Sequence, residues 1–168
     1  EHSLVARALH AAQSADARRI LLVSPHTGDG KTHFAGCLQQ HASLVTDEPL
    51  QVQSFTTLQP QPKLDHGYVW VDGVSLLEGQ GAAVLTPAVR SSFDGALLIA
   101  RGMGTNRAEV AECAEQLRIL GMPMIGGVWN ELECPTPAET FRTIKAGLRT
   151  WPPKFPPGVI TRQFRRSS

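Results

Sequence analysis

The stretch that decides the fold is Ile20 to Leu38, ILLVSPHTGDGKTHFAGCL. Its apolar, β-type opening breaks at Ser24-Pro25 into a glycine-bearing loop that ends Gly28-Asp29-Gly30-Lys31-Thr32, and a helical pattern follows. A polyphosphate needs several backbone N–H donors converging on its oxygens, which requires glycines that allow close approach and positive φ. Gly28 and Gly30 can supply that. In such a loop Lys31 places an ammonium on the β and γ phosphates and Thr32 a hydroxyl on Mg²⁺, while the helix beginning there turns its positive dipole end to the anion. The usual pattern is G-x-x-x-x-G-K-[ST], and Pro25 stands at its first glycine. The competing reading is a strand-to-helix turn in which Gly-Asp-Gly is turn chemistry and Lys31 a solvated first-turn residue.

Working outward, Leu4 to Arg18 carries apolar residues at helical spacing and predicts an amphipathic helix ahead of the first strand. Beyond the loop, a helix to about Gln40, strands at Leu50–Phe55 and Tyr68–Val71, a helix over Gly81–Ser92 disturbed by Pro87, and a strand at Gly95–Ala100 are expected. A helix capped by Thr105 or Asn106 and stopped at Gly121 follows, then a strand at Met124–Trp129 and a last helix at Pro137–Thr150. Strands alternating with helices predict an α/β domain over residues 1–150, with a doubly wound, mostly parallel sheet and helices on both faces. Residues 151–168 are rich in proline and arginine and read as a tail. That tail is expected to be solvated, with anionic lipid or an acidic partner as the alternative.

In such sheets ligands meet the carboxyl ends of the strands. Asp72 follows Val69-Trp70-Val71, where a carboxylate can hold Mg²⁺ or orient a water, or can simply make an Asp-Gly turn. Asn130 ends a strand, where its amide can read an adenine edge or serve as a turn residue. Composition fits this class: 168 residues, 42% hydrophobic, and no apolar run of membrane-spanning length. A net charge of +1 argues against general nucleic-acid affinity. Three scattered cysteines, Cys37, Cys113 and Cys134, fit neither a disulfide frame nor a zinc site and point to the cytoplasm. Cys37, Cys113 and the Leu117 face are expected in the core, and His26, His33 and His41 are expected to be solvated or on a helix surface.

Taken together, Ser24-Pro25-x-x-Gly28-Asp29-Gly30-Lys31-Thr32, the strand at Asp72, Asp94 to Gly102, Glu115 to Pro123 and Ile125 to Asn130 resemble the cytoplasmic domain of bacterial tyrosine autokinases. That family lies among the deviant Walker ATPases, beside the MinD and ParA partitioning proteins, and acts in capsule and exopolysaccharide synthesis. The resemblance covers about Arg19 to Glu131 and implies ATP or ADP with Mg²⁺ at Gly28, Asp29, Gly30, Lys31 and Thr32. It further implies a metal-site acid at Asp72 and an adenine contact at Asn130. By the same resemblance Lys31 and Asp72 would be catalytic and Thr32 and Asp72 would hold Mg²⁺. The chain departs from the family in four ways, the first being that the Glu and Arg pattern of the family's oligomer-forming N-terminal helix is not recognisable in Leu4 to Arg18. The strand near Leu50 to Phe55 leads into Thr56-Thr57-Leu58-Gln59 where the family has an Asp-x-Asp, and Asp65 is the first acid afterwards. Asp72 is followed by Gly73-Val74-Ser75 instead of a proline-bearing segment, and the C-terminal tyrosine cluster is absent, Tyr68 being the single tyrosine.

The expectation from these features is a nucleotide-binding pseudokinase or regulatory partner. It would serve polysaccharide assembly or export from the cytoplasm by docking on an inner-membrane chain-length or export protein, and it could self-associate. Two alternatives differ in class. One is an active ATPase or residual tyrosine kinase using Lys31, Thr32 and Asp72. The other is a MinD-like or ParA-like positioning ATPase, whose signature lysine belongs where His26 stands.

Overall fold

Arg19–Ser24 forms strand β1, and all six residues are buried. Its side chains alternate between two sides, so a strand with no polar face must be covered by helices on both. A computed structural model describes residues 2–57, 66–102 and 104–130, all within the unit spanning Glu1–Glu133. The helix expected at 137–150, the tail from 151, and Asp65 lie outside the described residues.

The chain runs from helix α1 (His2–Ser14) through β1 to helix α2 (Lys31–His41), strand β2 (Leu50–Ser54), strand β3 (Tyr68–Ser75) and a short helix α3 (Pro87–Arg90). Strand β4 (Gly95–Arg101), helix α4 (Arg107–Ile119) and strand β5 (Met124–Asn130) follow. The five strands pair in the order β2-β3-β1-β4-β5, every pair parallel. This is the expected α/β class.

The two faces of β1 seed two cores. Ile20 and Leu22 pack with Val5, Leu9, Phe34, Leu38 and Trp70 beneath α1 and α2. Leu21 and Val23 pack with Val71, Leu98, Cys113 and Leu117 beneath α4. Each fully buried aliphatic side chain contributes about 1.5–3 kcal/mol, so the two layers fix the sheet firmly. Phe34 meets Trp70 edge to face at 6.5 Å, which fixes the first turn of α2 over β3. At the far end of the sheet, the Arg18 and Arg19 amides both donate to Asp94 Oδ2, at 2.9 and 2.8 Å, tying the entry of β1 to that of β4.

Three expectations need correcting. The helix expected over Gly81–Ser92 is only Pro87–Arg90, with Thr86 as N-cap accepting from the Val89 amide. Proline lacks an N–H and clashes with the carbonyl four residues earlier, so it starts this helix instead of interrupting a longer one. The first helix stops at Ser14 instead of Arg18, and Asp16 turns the chain with φ 49°. The strand expected to end at Val71 runs on through Asp72-Gly73, because β3 continues to Ser75. From Asp72 to Ser75 it sets three steps against the two from Leu22 to Ser24 on β1, which is a bulge. A Cβ at Gly73 would lie 2.4 Å from the Leu22 carbonyl oxygen, so glycine is what lets the bulge close on β1.

Candidate nucleotide site

Ser24 to Thr32 connects the carboxyl end of β1 to α2, with Gly28 at φ 88° and Gly30 at φ 99°. Both values fall where glycine is at ease and other residues are strained. Gly30 has a second reason to be glycine. A Cβ there would sit 1.9 Å from Asn130 Nδ2, whose amide donates to the Asp29 carbonyl oxygen at 3.1 Å. Asn130, the last residue of β5, therefore braces the loop from the side.

Lys31 is buried, and its ammonium donates to Ser24 Oγ at 2.5 Å and Ser75 Oγ at 3.0 Å. Burial pushes it below the ordinary lysine value, against the pull of Asp72, Asp29 and Glu78. Thr32 Oγ1 donates to Asp72 Oδ2 at 2.6 Å. The bulge of β3 thus sends two groups to the loop: Asp72 to Thr32, and Ser75 to Lys31. A cleft of about 790 Å³ opens over Gly28, Lys31, Thr32 and Asp72, walled on the other side by Ser54, Phe55 and Thr56 at the end of β2. Ser54 is in register with Asp72, so the end of β2 lies beside Asp72 at this cleft. It carries hydroxyls, Ser54 Oγ and Thr56 Oγ1 lying 3.0 Å apart.

The donor set suits a hard cation: a hydroxyl and a carboxylate oxygen already in contact beside a glycine loop match the oxygen ligands that Mg²⁺ takes. Thr32 and Asp72 are the residues that would hold it. Bound there with a nucleotide, Mg²⁺ would neutralise charge on the β and γ phosphates. Among the described residues no cluster of three or more His, Cys, Asp or Glu could hold a metal by itself.

His26 is not the solvated histidine expected from sequence. Its ring spans two carboxylates, Nδ1 3.2 Å from Glu78 Oε1 and Nε2 3.2 Å from Glu109 Oε1, and its own amide donates to Asp29 Oδ2 at 2.8 Å. Burial works against its charge, but hydrogen bonding and attraction from Glu109, together with Asp29 and Glu78, raise it above the ordinary histidine value. Glu78 Oε2 also accepts the Thr27 amide at 2.6 Å, and that bond holds its carboxyl below the ordinary range. Glu109 is the N3 residue of the α4 capping box with Asn106, and the Asn106 amide holds its carboxyl low as well. His33 and His41 behave differently: His33 Nε2 lies 3.5 Å from Cys37 Sγ, and the His41 ring packs at 4.6 Å from that of His2.

The sequence brought Gly28, Asp29, Gly30, Lys31, Thr32, Asp72 and Asn130 forward, and the structure gathers them at one end of the sheet. It adds Ser75, Glu78 and Glu109. Of these, Glu78 had a readable signal, since it leaves the carboxyl end of the strand beside the loop six positions after Asp72. The single tyrosine, Tyr68, is 1% exposed and begins β3, at the opposite end of the sheet.

No protein-family model matches the sequence, and no curated protein matches it significantly. Among solved structures the chain is similar to the BceF tyrosine kinase domain, with a TM-score of 0.52 and 14% identity over 77% of this chain and 75% of that one. The chain carries a tyrosine-kinase-like α/β fold. At that identity the likeness speaks for the architecture, a parallel sheet with helices on both sides, and the residues of the loop must speak for themselves. No helix among the described residues is long and apolar enough to cross a membrane.

Proposed function

We propose that this chain is a nucleotide-binding P-loop protein of the tyrosine autokinase type, within the deviant Walker ATPases, that binds ATP or ADP with Mg²⁺ and acts as a pseudokinase or regulatory partner. The observation that carries the reading is the convergence of Lys31, Thr32 and Asp72 on one glycine loop opposite a β2 end where, among the described residues, Ser54 and Thr56 present hydroxyls. Phosphoryl transfer is mostly positioning and electrostatic stabilisation, so a site without the family's Asp-x-Asp after β2 would keep binding and lose rate. The buried Tyr68 supports the same reading, because a phenol at the far end of the sheet is out of reach of the loop as an acceptor.

In this account Gly28, Asp29 and Gly30 shape the cradle for the phosphates and Lys31 leaves the Ser24 and Ser75 hydroxyls to meet the β and γ oxygens. Thr32 and Asp72 hold Mg²⁺, and Asn130, beside the loop, meets the adenine. The setting we propose is exopolysaccharide or capsule assembly, at the cytoplasmic face of the inner membrane through a chain-length or export protein. His26 stands at the signature-lysine position of the partitioning ATPases and is held by Glu78 and Glu109, which disfavours the positioning reading. The intact Thr32–Asp72 pair keeps a slow ATPase as the second reading.

Phosphate release and phosphotyrosine formation, followed with Mg²⁺·ATP and an added tyrosine polymer, separate the two. Turnover no higher than that of Lys31→Ala, together with a Lys31-dependent thermal shift by ATP, is expected for the pseudokinase. Turnover that Asp72→Asn abolishes would establish the enzyme instead.

A further inference from the structure

The phosphate loop already holds an anion of its own. Thr27 lies in the middle of the loop, and its backbone N–H, a donor of the kind that would cradle phosphate, is given to Glu78 Oε2 at 2.6 Å. The other oxygen of the same carboxylate lies 3.2 Å from His26 Nδ1, so Glu78 is bound at both oxygens by groups of the loop. Thr27 and Glu78 both line the cleft that the nucleotide would enter. A carboxylate accepting main-chain N–H at a glycine loop makes the interaction that a phosphate oxygen would make. The surrounding charge has the same bias. Asp29, Asp72, Glu78 and Glu109 stand around the loop against the ammonium of Lys31 and the His26 ring that Glu78 and Glu109 bridge, an excess of carboxylates that disfavours a free polyphosphate.

We infer that Glu78 is an internal competitor for the phosphate ligand: a polyphosphate seats on the loop by displacing the Glu78 carboxylate from the Thr27 amide, and its own cation must come with it. This rests on the nucleotide-binding reading above and deepens it by naming the residue that sets affinity and selects the metal-complexed ligand. Glu78 leaves the carboxyl end of β3, the strand that carries Asp72 and Ser75, so ligand entry and movement of the segment after β3 are coupled. Glu109 serves as the internal control. It faces the same imidazole and has the same charge, but it takes no loop amide.

The test is calorimetric titration of the full chain with ADP and, separately, with inorganic tripolyphosphate, each with and without Mg²⁺. Wild type, Glu78→Gln, Glu78→Ala, Glu109→Gln and Lys31→Ala are compared after circular dichroism shows each to be folded. Displacement of a charge-assisted hydrogen bond predicts binding about tenfold or more tighter in both Glu78 variants, and a larger gain without Mg²⁺ than with it. Glu109→Gln should gain no more than about threefold, the share expected from charge alone near a screened surface. Equal, Lys31-dependent binding in wild type and the Glu78 variants would overturn the inference and leave the nucleotide reading standing. So would weaker binding in the Glu78 variants, or an equal gain in Glu109→Gln. Absence of binding in every protein at millimolar ligand would remove the nucleotide reading, and the inference with it.

Discussion

Replacing Gly30 by alanine probes the loop at the point where backbone and tertiary constraints coincide. The residue has φ 99°, and a left-handed conformation costs an ordinary L-residue about 1–2 kcal/mol. The new methyl would lie 1.9 Å from Asn130 Nδ2 and 3.0 Å from its Cγ, so the amide must swing away and give up its bond to the Asp29 carbonyl. That loss is worth about 1 kcal/mol. Gly30→Ala should therefore cost about 2–3 kcal/mol and lower the melting temperature by about 4–12 °C in a domain of this size. Asn130→Ala removes the same hydrogen bond without the strain and should cost about 1 kcal/mol. In the double variant the methyl finds open space and the bond is already gone, so the two losses share one component. The double variant should then cost about 2–3 kcal/mol, with about 1 kcal/mol of coupling between the sites. Urea unfolding of the four proteins measures every arm of this cycle. Strictly additive losses, or a Gly30→Ala cost below about 0.5 kcal/mol, would refute the claim that Asn130 braces the loop against Gly30.

The remaining predictions concern neighbouring groups. Because the folded His26 value is raised, its contribution to stability is complete below the ordinary value of 6.5 and is lost as pH rises through the higher folded value. Wild type should lose stability relative to His26→Gln across that window in urea unfolding at stepped pH, and a difference independent of pH would contradict the Glu78–His26–Glu109 bridge. Burial, with Glu112, Asp29 and Glu109 nearby, pushes the Cys113 thiol up to about 12. Iodoacetamide at pH 8 should leave the Cys113 peptide unmodified in native protein and alkylate it fully in urea, read by mass spectrometry. Asn106→Ala removes the cap of α4 and should cost about 1 kcal/mol, or about 2–4 °C of melting temperature in a thermal scan.

The parts of this molecule that depend on local chemistry were legible in the sequence. The unbroken apolar run at Ile20–Val23 demanded a doubly covered strand, and the glycines and Lys31-Thr32 after it demanded a loop and helix. Asn106, one of the two caps the sequence offered with Thr105, and Gly121 at φ 68° mark the two ends of α4 as capping rules require. What escaped was set by register and tertiary contact. The bulge that extends β3 past Asp72 depends on how Gly73 meets Leu22, and nothing within the strand itself announces it. His26 lies far in sequence from Glu78 and Glu109, so its bridge exists only once β3 and α4 flank the loop. The stretch over Gly81–Ser92 misled because its apolar residues suit a helix while Pro87 admits only one that starts there.

The central claim is that Ser24 to Thr32 is a working phosphate site. Its most direct test is equilibrium binding of Mg²⁺·ADP to the full chain by calorimetry, with Lys31→Ala and Asp72→Asn alongside. The account predicts saturable one-to-one binding that Lys31→Ala abolishes and that Asp72→Asn weakens only when Mg²⁺ is present. Heats indistinguishable from buffer at millimolar Mg²⁺·ADP, or binding that survives Lys31→Ala unchanged, would contradict it.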